Sequence, residues 1–177
     1  MAVPERTPAP RATPITLGSV LEDGVFMGVI GASVVAVWFL ILDALHGRPL
    51  YTPALLGTLV MHGPASMAQM TQIQPSPVAV YTGIHFFAFV LVGIVASYLW
   101  ELFERYPETG FVLVFAFVLF ETGFFVINLA LGGRILGLLG AWAVGVGNLL
   151  AALGMAVYAW LRHPNAAKRM RTLWEEE

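Results

Sequence analysis

The sequence predicts an all-α integral membrane protein: a four-transmembrane-helix bundle with a short re-entrant or interfacial segment between its first and second helices. Three observations lead there. Apolar residues make up 58% of the 177 residues and charged residues only 11%, far from the balance of soluble domains. Four segments, 24–45, 78–100, 110–131 and 135–161, stay apolar over the ~20 residues that a helix needs to cross a hydrocarbon core. Basic residues also fall unevenly on the two sides that four such spans define, as cytoplasmic flanks require.

Residues 1–22 open with "MAVPERTPAPRATP", a proline- and alanine-rich stretch without apolar periodicity, and read as a disordered cytoplasmic tail. The apolar run that follows begins near Val25 and is long enough to span, so it reads as a retained anchor rather than a cleaved signal. It opens the transmembrane domain, residues 23–163. After this span comes "LDALHGRPLYTPALLG". Here Asp43 and Arg48 are expected to pair at the water boundary, and Pro49 and Pro53 to turn the chain back against the bundle. An outer-side mouth or docking surface is the functional reading of the same stretch. Segment 53–70 is shorter and is interrupted by "HGP" at His62–Pro64, where glycine and proline oppose a continuous helix. It reads as re-entrant or interfacial. Glu101, Glu104, Arg105 and Glu108 read as a solvated loop between the second and third spans. Residues 164–177 form a second cytoplasmic tail, in which a short surface helix would bring basic side chains to anionic lipid.

Four spans place Arg6, Arg11, Arg105, Arg162, Lys168, Arg169 and Arg171 on one side and only Arg48 and Arg134 on the other. A fifth crossing by 53–70 would weaken that bias from seven against two to six against three. The sequence therefore predicts four spans with both termini cytoplasmic. Tyr98, Trp100, Tyr106, Tyr158, Trp160 and Trp174 would belt the cytoplasmic interface, with Tyr51 and Tyr81 near the other.

Gly24, Gly28, Ala32 and Ala36 recur at intervals of four on the first span, and Ala143, Gly147 and Ala151 do so on the fourth. Small residues at that spacing let helix backbones approach closely in lipid. They serve either the bundle itself or contact with another copy or a partner subunit. No internal repeat supports the inverted plan of many transporters.

Four polar groups lie at depth. Glu121 sits at the centre of the third span with Asn128 on the same helical face, Asn148 near the centre of the fourth, and His85 in the outer half of the second. Buried charge there costs several kcal/mol unless paired or neutralised. A protonated Glu121 bonding across helices would be structural, whereas Glu121 ionised against His85 would suit proton, ion or ligand handling. His85 is also the one histidine at a depth suited to an axial haem ligand, and a b-type haem would need a second. "MHGPASMAQM" carries Met61, His62, Met67 and Met70, whose thioethers and imidazole suit Cu(I) and equally suit apolar gap filling. No cofactor is predicted, with haem b or copper as the alternatives.

The chain lacks cysteine, which excludes disulfides and thiolate chemistry. Nine basic against eleven acidic residues give no nucleic-acid footprint. It also lacks G-x-S-x-G, H-E-x-x-H and Walker motifs, which points away from an enzyme.

"GRPLYTPALLG" after a first span, then "YTGIHFFAFVLVG", "FETGFF" and "VGNLLAALGMAVY", resembles small multi-pass membrane proteins of bacterial genomes that carry no assigned activity. That resemblance implies a bacterial plasma membrane and no chemistry. The expected function is a non-enzymatic accessory or scaffold subunit whose partners are the bilayer, other membrane subunits or further copies. The alternative is a small transporter or ligand- or proton-binding bundle built on Glu121, His85, Asn128 and Asn148.

Overall fold

The computed structural model describes residues 16–67, 70, 72–106, 110–130 and 139–164. The side chains of Met67 and Asn128 lie outside the described residues, as do Glu108 and residues 131–138. All regular structure among the described residues is helical: α1 (Leu17–Leu45), α2 (Tyr51–His62), α3 (Pro64–Met67), α4 (Pro75–Arg105), α5 (Gly110–Ala130) and α6 (Ala141–Arg162). Three of them, α1, α4 and α6, are long and apolar enough to cross a membrane. Between α1 and α4, where the re-entrant segment is expected, stand α2 and α3. The break comes at Gly63, whose φ of 80° and ψ of 177° suit glycine alone.

The long helices overrun the expected spans. The first begins at Leu17, inside the stretch read as a tail, because the Thr16 hydroxyl accepts the Ser19 N–H at 3.2 Å and caps it. Similarly, α4 continues five residues past Trp100 to Arg105, since its terminal carboxylates find partners on other helices.

Helices α1 and α4 run antiparallel with their backbones in direct contact. A Cβ at Gly24 would lie 2.5 Å from Ile94 Cα, one at Gly28 2.5 Å from the Phe89 carbonyl oxygen, and one at Gly93 would overlap the Gly24 carbonyl and the Gly28 amide. Ala32 continues this seam, wholly buried. Ala36, one turn further, is exposed instead. On the other flank of α1, antiparallel α6 buries Ala143, Gly147, Ala151, Met155 and Ala159, and a Cβ at Gly147 would lie 2.9 Å from the Trp38 ring. The Trp38 indole N–H donates to the Ala143 carbonyl at 2.8 Å, which fixes the start of α6.

Asp43 pairs differently from expectation. Its carboxylate accepts the Thr52 N–H at 2.7 Å and the Thr52 hydroxyl at 2.8 Å, and so caps α2 from nine residues away. Arg48 instead lies over the Tyr51 ring, 4.0 Å from its centroid. The left-handed Leu50, with φ of 67°, swings Thr52 toward Asp43 and away from a simple loop path. The second helix then crosses the start of α4 so closely that a Cβ at Gly57 would overlap the Pro77 carbonyl.

By contrast, α5 is held at its first turns: Leu113 packs on the cluster of Met27, Trp100, Met155 and Ala159. None of its described residues is fully buried.

The seam generates a paired expectation. Gly93→Ala should destabilise the chain by about 2 kcal/mol, since the added methyl has only backbone to displace. Gly145→Ala meets nothing within 4 Å and should be neutral or slightly stabilising. Thermal unfolding midpoints of the two variants in one detergent check this.

Candidate functional site

Polar side chains gather at three places, and they differ in how fully the chain satisfies them. The first lies where the start of α1 meets the ends of α4 and α6. Asp23 on α1 is only 4% exposed, and a carboxylate so buried needs donors. Three come from α6 and its cap: the Tyr158 hydroxyl at 3.0 Å, Arg162 Nε at 3.4 Å and His163 Nε2 at 3.1 Å. The opposite ring nitrogen of His163 lies 3.4 Å from Glu104 on α4. The imidazole thus stands between carboxylates of α1 and α4. One turn back on α4, Glu101 accepts the Ser19 hydroxyl of α1 at 2.6 Å, while its second oxygen is shielded without a partner among the described residues. These bonds tie three helices together at one end.

The expectation of a solvated loop therefore gives way at Glu101 and Glu104, which are helical and engaged with other helices. The available signal was Ser97, Glu101 and Glu104, spaced i, i+4 and i+7 on one face of α4, matched by Tyr158 and Arg162 one turn apart on α6.

At the second place, Glu121 on α5 is half-buried. Among the described residues, one carboxyl oxygen is shielded and lacks a hydrogen-bond partner, and no hydrogen bond or ion pair joins Glu121 to His85 or Asn148. Asn148 is half-buried on α6. The fourth member proposed for that group, Asn128, lies outside the described residues in its side chain.

His85 marks the third place, a cleft of about 180 Å³ between α1, α2 and α4. Its ring sits in an aromatic column, stacked on Tyr81 at 5.7 Å and tilted against Phe89 at 4.7 Å. Nε2 contacts the Ala32 carbonyl across the seam at 3.2 Å. Ala36, expected in the seam, lines this cleft.

Of the methionine motif, the structure places Met61, His62 and Met70, while the Met67 side chain lies outside the described residues. Met61 Sδ lies 4.0 Å from the Ser76 hydroxyl and Met70 Sδ 3.8 Å from that of Thr58, and His62 is exposed. Comparison of the chain with protein-family models, curated proteins and solved structures gives no match.

The Asp23 network carries a stability expectation. Asp23→Asn should cost about 2 kcal/mol, the scale of lost charge-assisted bonds, and should open the last turn of α6 to amide exchange. Glu22→Gln is the comparison, because Glu22 reaches Arg162 only at 3.8 Å on the surface and exposed pairs contribute little. Hydrogen exchange read by mass spectrometry separates the two.

Proposed function

We propose that this chain is a multi-pass protein of the bacterial plasma membrane that acts as a non-enzymatic accessory or scaffold subunit, docking through α5 onto a helix outside the chain. In this reading α5 joins the three long helices as a fourth span. The α2–α3 segment is re-entrant or interfacial, and both termini lie in the cytoplasm with the excess of basic residues.

Glu121 carries the proposal. An acid in the apolar middle of a helix costs several kcal/mol unless it is paired, and Oε1 of Glu121 has no hydrogen-bond partner among the described residues. The helix that bears it is the least buried of the long ones, with Val114 66% and Val118 52% exposed on the face of Glu121. In lipid such a group finds its donor on a neighbouring helix, where an interhelical hydrogen bond contributes about 1 kcal/mol. A second copy and a different subunit both satisfy this chemistry.

A photo-cross-linking residue in place of Val114 or Val118 tests the proposal in native membranes. The expected result is a protein adduct of defined mass that weakens several-fold when Glu121→Leu is added. The folded chain should tolerate that change, because it removes an unsatisfied group. Lipid adducts alone at both positions, with a lone monomer in mild detergent, would overturn the proposal.

A further inference from the structure

We propose that the cleft between α1, α2 and α4 binds a membrane-resident long-chain alcohol, whose hydroxyl donates to Nδ1 of His85. This rests on the cleft alone and is independent of how α5 docks.

The ligand chemistry follows from the tautomer. In its uncharged form an imidazole has one N–H. The Ala32 carbonyl, an acceptor only, lies 3.2 Å from Nε2 and assigns the hydrogen to that nitrogen. Nδ1 is then an acceptor, with no hydrogen-bond partner among the described residues and not shielded from the surface. The ring cannot easily rotate to trade these roles, because Tyr81, Phe86 and Phe89 hold it within 4.7–5.9 Å centroid distances. The imidazole therefore asks for a donor, which a ketone or an ether cannot offer it.

Two of the other hydroxyls on the cleft wall are already committed, which leaves that of Tyr81 beside the imidazole. The Thr82 hydroxyl donates to the Val78 carbonyl, and the Thr52 hydroxyl to Asp43. The rest of the wall is apolar, with Ala36, Leu40, Pro53 and Phe86 among its residues. Residues Val78 to Phe86 extend it along the axis of α4 by about 12 Å. An apolar body of that length carrying one hydroxyl matches both features. Exposed Ala36 and Leu40 leave the cleft open at the flank of the bundle, where a bilayer component enters sideways without crossing water.

The purified chain in lipid nanodiscs is labelled with a diazirine analogue of 1-decanol and, in parallel, with the methyl ether of that probe. The alcohol should give saturable adducts on the cleft segments of α1, α2 and α4, displaced by unlabelled 1-decanol and hardly by 1-butanol. The ether should label about tenfold less, the scale of one hydrogen bond. His85→Phe should bring the alcohol down to the level of the ether. Ala36→Phe fills the cleft while leaving the imidazole in the chain and should suppress both probes, which keeps the test decisive if His85→Phe fails to fold. Equal labelling by alcohol and ether would overturn the proposal. So would unsaturable labelling spread over outward-facing residues such as Phe87 and Val95, or wild-type labelling of Ala36→Phe.

Discussion

The contact on which the rest depends is backbone against backbone, where Gly24 and Gly28 of α1 meet Gly93 of α4. Hydrocarbon offers helices no hydrophobic drive to associate, so close van der Waals contact and polar links between helices must hold them. Without side chains in between, α1 and α4 approach until carbonyls and amides touch. That distance lets the Ser19 hydroxyl reach Glu101 at 2.6 Å and His85 reach the Ala32 carbonyl at 3.2 Å. A bulkier seam would separate both pairs. Past Ala32 the small residues no longer face α4, and the start of α2 enters with Thr52 and Pro53. The cleft therefore opens where the seam ends.

Two aspartates bracket α1. Asp23 and Asp43 are twenty residues apart, which in a helix is about 30 Å, close to the thickness of a hydrocarbon core. Both are buried, at 4% and 7% exposure, and both are saturated by donors from another element: Asp23 from the end of α6, Asp43 from the start of α2. Each bond set joins α1 to an element whose terminus would otherwise fray. The two ends of α1 are held by charge-assisted bonds, and its middle by small residues. That division matches the cost of burying charge, which is lowest at the boundary.

Much of this arrangement was legible in residue spacing. Long apolar runs marked α1, α4 and α6, "HGP" marked the end of α2, and the four-residue interval of Gly24, Gly28 and Ala32 marked one helical face. What stayed hidden has a common cause. A hydropathy reading stops a helix at its first charge, so Asp23 and Glu101 lay at or beyond the expected borders. A helix in fact continues through a charge that finds a partner. Those partners are remote in sequence: Tyr158 and His163 lie 135 and 140 positions from Asp23, and Ser19 lies 82 from Glu101. Nothing local announces such pairs. Asp43 was misread for the opposite reason: Arg48 stood nearby with the right charge, but the left-handed Leu50 delivered Thr52 instead.

The degree of satisfaction separates structural polar groups from those that look outward. Around Asp23 three donors converge on one carboxylate, and His163 spends both ring nitrogens on carboxylates of different helices. Such a set has little capacity left for a substrate, and disturbing it loosens three helices at once. Away from the helix ends the situation reverses. His85 uses one nitrogen within the chain, and Glu121 finds no partner among the described residues, although desolvation makes unfilled capacity most expensive there. Glu101 is the intermediate case, with one oxygen bonded and the other shielded close to the water boundary. In a bundle that fixes its ends so thoroughly, unfilled groups in the apolar middle are hard to reconcile with packing alone. In the two proposals above their partners lie outside the chain: a donor on a neighbouring helix for Glu121, and a hydroxyl from the bilayer for His85.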